Sequence, residues 1–237
     1  MIVLLSVLAC LSPKDGNSTP DSGADTDTDT VLRAPLQLQL PLADPTQFNL
    51  VVGVDHDPVV YGQGIGAATC TNYAGHSFPY CYDEHDGSDF ILEGGFDTMD
   101  AGSVSVLAAA AGTVVRAEDG NYDRCHADLL SGEVDCDGHE MRANQVTVEH
   151  DGGYQTRYLH LMSGSVSVAV GDAVSAGDVL GKVGSSGNSS MPHLHLQIEA
   201  PDGEVIDPYA GPASQPETWW CDQGDEDDLP GACAPGR

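Results

Sequence analysis

The sequence predicts an all-β fold, an antiparallel sheet or sandwich, and three observations carry that expectation. From residue 103 onward, β-branched and alternating residues recur in short runs, the period-two pattern of half-buried strands. Glycine pairs and Asp-Gly steps separate the runs, notably Asp151-Gly152-Gly153, which reads as a hairpin turn. No apolar stripe of 3.6-residue period extends over a helix length.

Taken in order, residues 2–11 form an apolar run too short to cross a bilayer, and at the N-terminus such a run reads as the core of a secretion signal. Val7-Leu8-Ala9-Cys10 resembles the cleavage box of bacterial lipoproteins. On that reading residues 1–10 are a signal, Cys10 is the lipidated residue, and the exported chain is held at a membrane only by that anchor, in the periplasm or at the cell surface. An ordinary signal is the alternative. Residues 11–30 are Ser, Thr, Asp, Gly and Pro, ending in an Asp-Thr repeat, which cannot bury a core and reads as a disordered tether.

Residues 31–84 carry weaker signals. Leu36-Gln37-Leu38-Gln39-Leu40 alternates like a strand, residues 49–54 suit another, and the Gly-, Tyr- and Asp-rich stretch 70–89 reads as loop. Strand patterns follow at 103–108, 112–117, 145–150, 154–160 and 165–170. Residues 119–143 read as an insertion between two strands. Residues 210–237 are Pro-rich and acidic and read as a tail held by Cys221 and Cys233.

Eight basic residues stand against 37 acidic ones, a net charge of −29. Such a surface repels nucleic acid and anionic headgroups, and both are discounted as direct partners. Seven cysteines become six once Cys10 is set aside, in three local couples: Cys70 with Cys81, Cys125 with Cys136, Cys221 with Cys233. None has the Cys-x-x-Cys spacing of a zinc ribbon. In an exported chain they read as three disulfides; fifteen connectivities are possible, and nearest-neighbour pairing is the expectation.

The chemistry centres on Met191-Pro192-His193-Leu194-His195-Leu196-Gln197-Ile198-Glu199. On a strand, His193 and His195 share one face while Leu194, Leu196 and Ile198 fill the other. His85-Asp86-Gly87-Ser88-Asp89 adds a His and an Asp four apart, in a segment whose Gly and Ser favour a tight turn over a helix. Catalytic zinc takes three such ligands and keeps a fourth position open. His85, Asp89 and one imidazole of the His193/His195 pair would make that set, and Tyr158-Leu159-His160-Leu161 supplies a further His at a strand end.

From His85 to Tyr209 these segments resemble the lysostaphin-type, LytM-like zinc metallopeptidases. The resemblance runs in order through His85-x-x-x-Asp89, residues 106–115, 146–150, Tyr158-Leu159-His160-Leu161, residues 170–174, residues 181–187, His193-Leu194-His195 and Asp207-Pro208-Tyr209. It implies the family's β fold, a duplicated hybrid motif, with residues 85–209 as the peptidase domain. It further implies one zinc ion on His85, Asp89 and His195, with His160 and His193 as catalytic histidines that are not ligands. The implied reaction is hydrolysis of peptide bonds in peptidoglycan stem or cross-bridge peptides, by a monomer. A catalytically silent wall-binding or amidase-activating module of the same fold is the alternative, favoured if the 119–143 insertion blocks the groove. Residues 170–180 also resemble a biotinyl or lipoyl carrier, but no modifiable Lys sits at the required hairpin tip. His56, His76, His126, His139 and His150 have no matching role and read as structural or surface residues.

Overall fold

The computed structural model describes residues 34–62, 68–127 and 133–233. The expected signal, Cys10 and the tether lie outside the described residues. In chain order the strands are β1 (Phe48–Val52), β2 (Ser88–Leu92), β3 (Ser105–Leu107), β4 (Gly112–Glu118), β5 (His126–Ala127) and β6 (Val134–Asp135). They continue as β7 (Gln145–Glu149), β8 (Gln155–Leu159), β9 (Ala173–Val174), β10 (Val179–Lys182) and β11 (His193–Glu199). One short helix, α1 (Gly95–Asp100), follows β2.

Seven strands form one sheet in the order β1-β2-β11-β8-β7-β4-β9, and each neighbouring pair is antiparallel. β10 pairs with β3 as a second layer, and β5 pairs with β6 as a separate hairpin. The alternation read in β11 is the reason it sits at the middle. Leu194, Leu196 and Ile198 are buried on the face that packs with Phe90, Tyr158, Val146, Val148, Val106 and Leu180. Each such side chain contributes roughly 1.5–3 kcal/mol on burial. The turn joining β7 to β8 is Asp151-Gly152-Gly153, where both glycines have positive φ (81° and 83°) and His150 N–H donates to Tyr154 O at 2.8 Å.

Cys70 is joined to Cys81, Cys125 to Cys136 and Cys221 to Cys233. The second bridge closes the β5–β6 hairpin inside the 119–143 segment.

Four stretches differ from expectation, the first being β2, which opens at Ser88 and Asp89 within the stretch read as loop. Residues 165–170 alternate but form no strand, because Ser165 and Ser167 hydroxyls donate to Met162 O and Val179 O while Ala169 N–H donates to the Asp172 carboxylate. Ser167 N–H also donates to Leu180 O of β10 at 3.0 Å, but no continuous ladder forms. Residues 36–40 form only an isolated parallel bridge, Leu38 to Trp220. The acidic C-terminal stretch is no loose tail, for Trp219 and Trp220 are 6% and 1% exposed and belong to the core.

Candidate metal centre

β2 and β11 lie side by side with Asp89 opposite His195, and residues opposite one another in antiparallel strands point to the same face. β8 flanks β11 on the other side with Leu159 opposite His195, so the chain leaves that strand at His160. The turn before β2 brings His85 back over the same face. These elements gather His85, Asp89, His160, His193 and His195, each at most 8% exposed.

His85 Nε2, Asp89 Oδ1 and His195 Nδ1 form a triangle with edges of 3.2, 2.8 and 3.3 Å. Tetrahedral zinc with bonds of 2.0–2.1 Å spaces its ligand atoms about 3.3 Å apart. The orientation of the rings agrees: His85 Nδ1 donates to Gly53 O at 2.7 Å, leaving the Nε2 lone pair turned into the triangle. A carboxylate and two imidazole nitrogens converging at this range call for positive charge between them. The donor set therefore fits a zinc ion.

Two histidines stand beside the triangle. His193 Nδ1 donates to Met191 O at 2.7 Å and its Nε2 lies 3.5 Å from Asp89 Oδ1. His160 Nδ1 donates to Ser186 O at 2.7 Å, and its ring centroid is 4.6 Å from that of His193. In both rings Nδ1 is committed to a backbone carbonyl and Nε2 remains for chemistry. His160 has a φ of 62°, a left-handed backbone rarely kept by a non-glycine residue unless the surroundings impose it.

The electrostatics are those of a dense buried cluster. Burial pushes the His160 imidazole well below its usual range, and neighbouring His193 and His195 push the same way. For His85 and His193 burial also opposes charge, but the Asp89 carboxylate outweighs it and raises both. Burial works against ionised Asp89 in turn, yet His85 and His193 hold it well below the carboxylate range.

A groove of about 630 Å³ opens onto His85, Asp89 and His193. Among the described residues, Phe78 and Tyr82 line it, as do Ala127 and Val134 of the β5–β6 hairpin. The position of the hairpin is set from the site side, since Ser185 Oγ donates to Cys125 O at 2.6 Å and Ala127 N–H donates to Ser190 O at 3.0 Å.

Sequence reasoning missed the residues that hold the site. Tyr82 stacks on His85 at 4.2 Å and brings its hydroxyl to 3.5 Å from Asp89 Oδ2. Gly87 approaches the His195 ring so closely that a Cβ there would lie 2.6 Å from Nε2. A glycine between His85 and Asp89 was the visible signal for that approach; backbone acceptors at Gly53, Ser186 and Met191 have no residue-type signal at all. Among the other histidines, His150 is buried between Ala111 O and Thr156 Oγ1, at 2.8 Å from each. His139 stacks on Tyr122, and His56 and His76 meet aspartates.

Residues 84–208 match peptidase family M23. Lysostaphin of Staphylococcus simulans is 32% identical over 114 residues, 48% of this chain and 17% of that protein. The peptidoglycan DD-endopeptidase ShyA of Vibrio cholerae is 38% identical over 60 residues, 25% of this chain and 14% of that protein. These alignments span less than a fifth of either relative. Among solved structures, the catalytic domain of lysostaphin is 26% identical with a TM-score of 0.37, over 62% of this chain and 89% of that one. Because the family match covers more than half of the 237 residues and encloses the whole His/Asp cluster, this chain belongs to peptidase family M23.

Proposed function

We propose that this chain is a zinc metalloendopeptidase that hydrolyses peptide bonds in the stem or cross-bridge peptides of peptidoglycan. The observation that carries the reading is the triangle of His85 Nε2, Asp89 Oδ1 and His195 Nδ1 beneath the groove. The substrate class is supported by the relatives, among which ShyA is a peptidoglycan DD-endopeptidase. The complete His85, Asp89 and His195 set supports the peptidase over the silent wall-binding module. Export, anchoring through Cys10 and a monomeric state complete the proposal.

His85, Asp89 and His195 would hold the ion. Zinc in such a site supplies Lewis acidity, lowering the pKa of water toward about 7 and polarising a carbonyl. The remaining work belongs to the protein. His160, kept neutral by burial and with Nδ1 tied to Ser186 O, presents Nε2 as an acceptor that orients the attacking water and takes its proton. His193, tied to Met191 O, presents Nε2 beside Asp89 and stabilises negative charge growing on the carbonyl oxygen. Phe78, Tyr82, Ala127 and Val134 hold the peptide across these nitrogens.

The test is the zinc content of the purified chain together with peptide release from purified peptidoglycan, with and without chelator. We expect about one zinc per chain and chelator-sensitive release. His195→Ala should lose both zinc and activity, while His160→Ala should keep zinc and lose activity by about 10²–10⁴-fold. Zinc without cleavage would move the reading to a silent module, and no zinc would refute the ligand set. Full activity in His160→Ala would refute the role given to that residue.

A further inference from the structure

His56 and His76 stand outside the metal centre, and each meets a carboxylate from the C-terminal part of the chain. His56 Nε2 lies 2.7 Å from Asp207 Oδ2, and His76 Nδ1 lies 2.5 Å from Asp227 Oδ2. In both pairs the aspartate is the more buried partner, its side chain 2% and 14% exposed against 22% and 41% for the histidines. Charge-assisted bonds of this kind are about twice as strong as neutral ones.

Asp227 is held at further points. Its Oδ1 accepts from Asn72 Nδ2 at 2.9 Å, and its backbone N–H donates to Tyr73 Oη at 2.8 Å. Its φ is 63°, a backbone that a non-glycine residue keeps where surrounding contacts over-determine it. A second set of contacts lies beside this one. Ala213 N–H donates to Tyr73 O at 3.0 Å, the Tyr73 and Tyr209 rings stack at 4.7 Å, and Gly211 sits so close that a Cβ would fall 2.3 Å from Tyr73 O.

Apart from the His56–Asp207 pair, these contacts reach one segment, residues 70–81, which contains no strand and is closed by the Cys70–Cys81 bridge. The same segment carries Phe78 into the groove, and Tyr82 follows directly, stacked on His85. A segment without a ladder of its own takes its position from what it is tied to. We infer that residues 207–229 act as a clamp that positions the Phe78/Tyr82 lining of the groove, with Asp227 as a positioning residue for substrate binding. Asp227 is absent from the groove lining, so its effect passes through His76, Asn72 and Tyr73. The binding part of this inference rests on the proposed function; the clamp itself does not.

The experiment uses the full chain carrying Asp227→Ala, with Asp227→Asn as the second variant because it keeps the shape and removes the charge. Hydrogen exchange is followed in residues 70–81 and in β7 and β11, alongside zinc content and retention on insoluble peptidoglycan, which needs no turnover. We expect exchange in 70–81 to rise about three- to tenfold, the scale of one lost hydrogen bond. β7, β11 and zinc content should be unchanged, and peptidoglycan affinity should fall at least threefold. Unchanged exchange in 70–81 in both variants would overturn the clamp. Faster exchange with unchanged affinity would overturn the positioning role and leave the contacts purely structural. A wild-type chain that neither retains nor cleaves peptidoglycan would refute the functional reading instead, and exchange in 70–81 would still decide the clamp.

Discussion

Gly87 offers a test of the metal centre that touches no ligand. A Cβ at this position would lie 2.6 Å from both Cε1 and Nε2 of His195 and 2.8 Å from Leu196 O. Ordinary contact begins at 3.4 Å, so the overlap is about 0.8 Å on the ring and 0.6 Å on the carbonyl. Neither neighbour yields easily: the His195 side chain is 8% exposed and its backbone is paired on both sides, to Asp89 and to Leu159. Moving His195 Nδ1 by most of that overlap exceeds the roughly 0.2 Å tolerance of a metal–ligand distance. Overpacking of this kind costs about 1–3 kcal/mol of stability, and a displaced ligand should weaken zinc binding by about 10–100-fold, the scale known for lost supporting contacts.

Gly53→Ala is the matched control. Gly53 also touches the site, through the carbonyl that holds His85 Nδ1, but a Cβ there meets Asn72 Cβ at 3.6 Å and Tyr80 O at 3.7 Å, ordinary contact. That substitution should be neutral or slightly stabilising, since alanine restricts the unfolded chain. The assay is zinc competition against a chelator of known affinity, with thermal unfolding of the zinc-loaded proteins. If Gly87→Ala held zinc within threefold of wild type, the steric reasoning would be refuted.

Two further outcomes follow from packing and charge. Burial pulls the His150 imidazole below its usual pKa, so the unfolded chain binds its proton first as pH falls. The stabilising contribution is therefore complete above about pH 6.5 and is lost as pH drops toward the folded value; denaturant midpoints at pH 7 and pH 5 should differ less in His150→Gln than in wild type, and an equal difference would refute the assignment. Trp220, 1% exposed and edge-on to Phe90 and Tyr209, should cost about 3–5 kcal/mol when changed to Ala. A loss under about 1 kcal/mol in chemical denaturation would show that the C-terminal segment is not part of the core.

How much was legible depends on whether a residue's type or only its backbone does the work. β4, β7, β8 and β11 turn their core-packed apolar side chains to one face, so apolar alternation is visible along them, and the five site residues appear in order as His and Asp types. β2 was hidden because Ser88-Asp89-Phe90 opens inside a Gly- and Asp-rich stretch that reads as loop, although Asp89 is there already paired with His195. The Ser/Val alternation at 165–170 misled because the segment bonds β10 through the Ser167 backbone and hydroxyl without forming a continuous ladder. Trp219 and Trp220 were obscured by acidic, Pro-rich neighbours whose composition resembles a tail. His56 and His76 carried no local pattern, since their aspartates lie far along the chain.

The proposed metal centre is a consequence of the core. His193 and His195 share the face that carries Asp89 because Leu194, Leu196 and Ile198 occupy the apolar face of β11. A slip of one residue in its pairing with β2 would exchange the two sets, turning both imidazoles into the core and a leucine toward Asp89. The three aliphatic burials oppose that slip by several kcal/mol together, at roughly 1.5–3 kcal/mol each. Zinc need not select the register of this strand; the leucines do so first, and the donor triangle is then completed by the turn that returns His85 across Gly87.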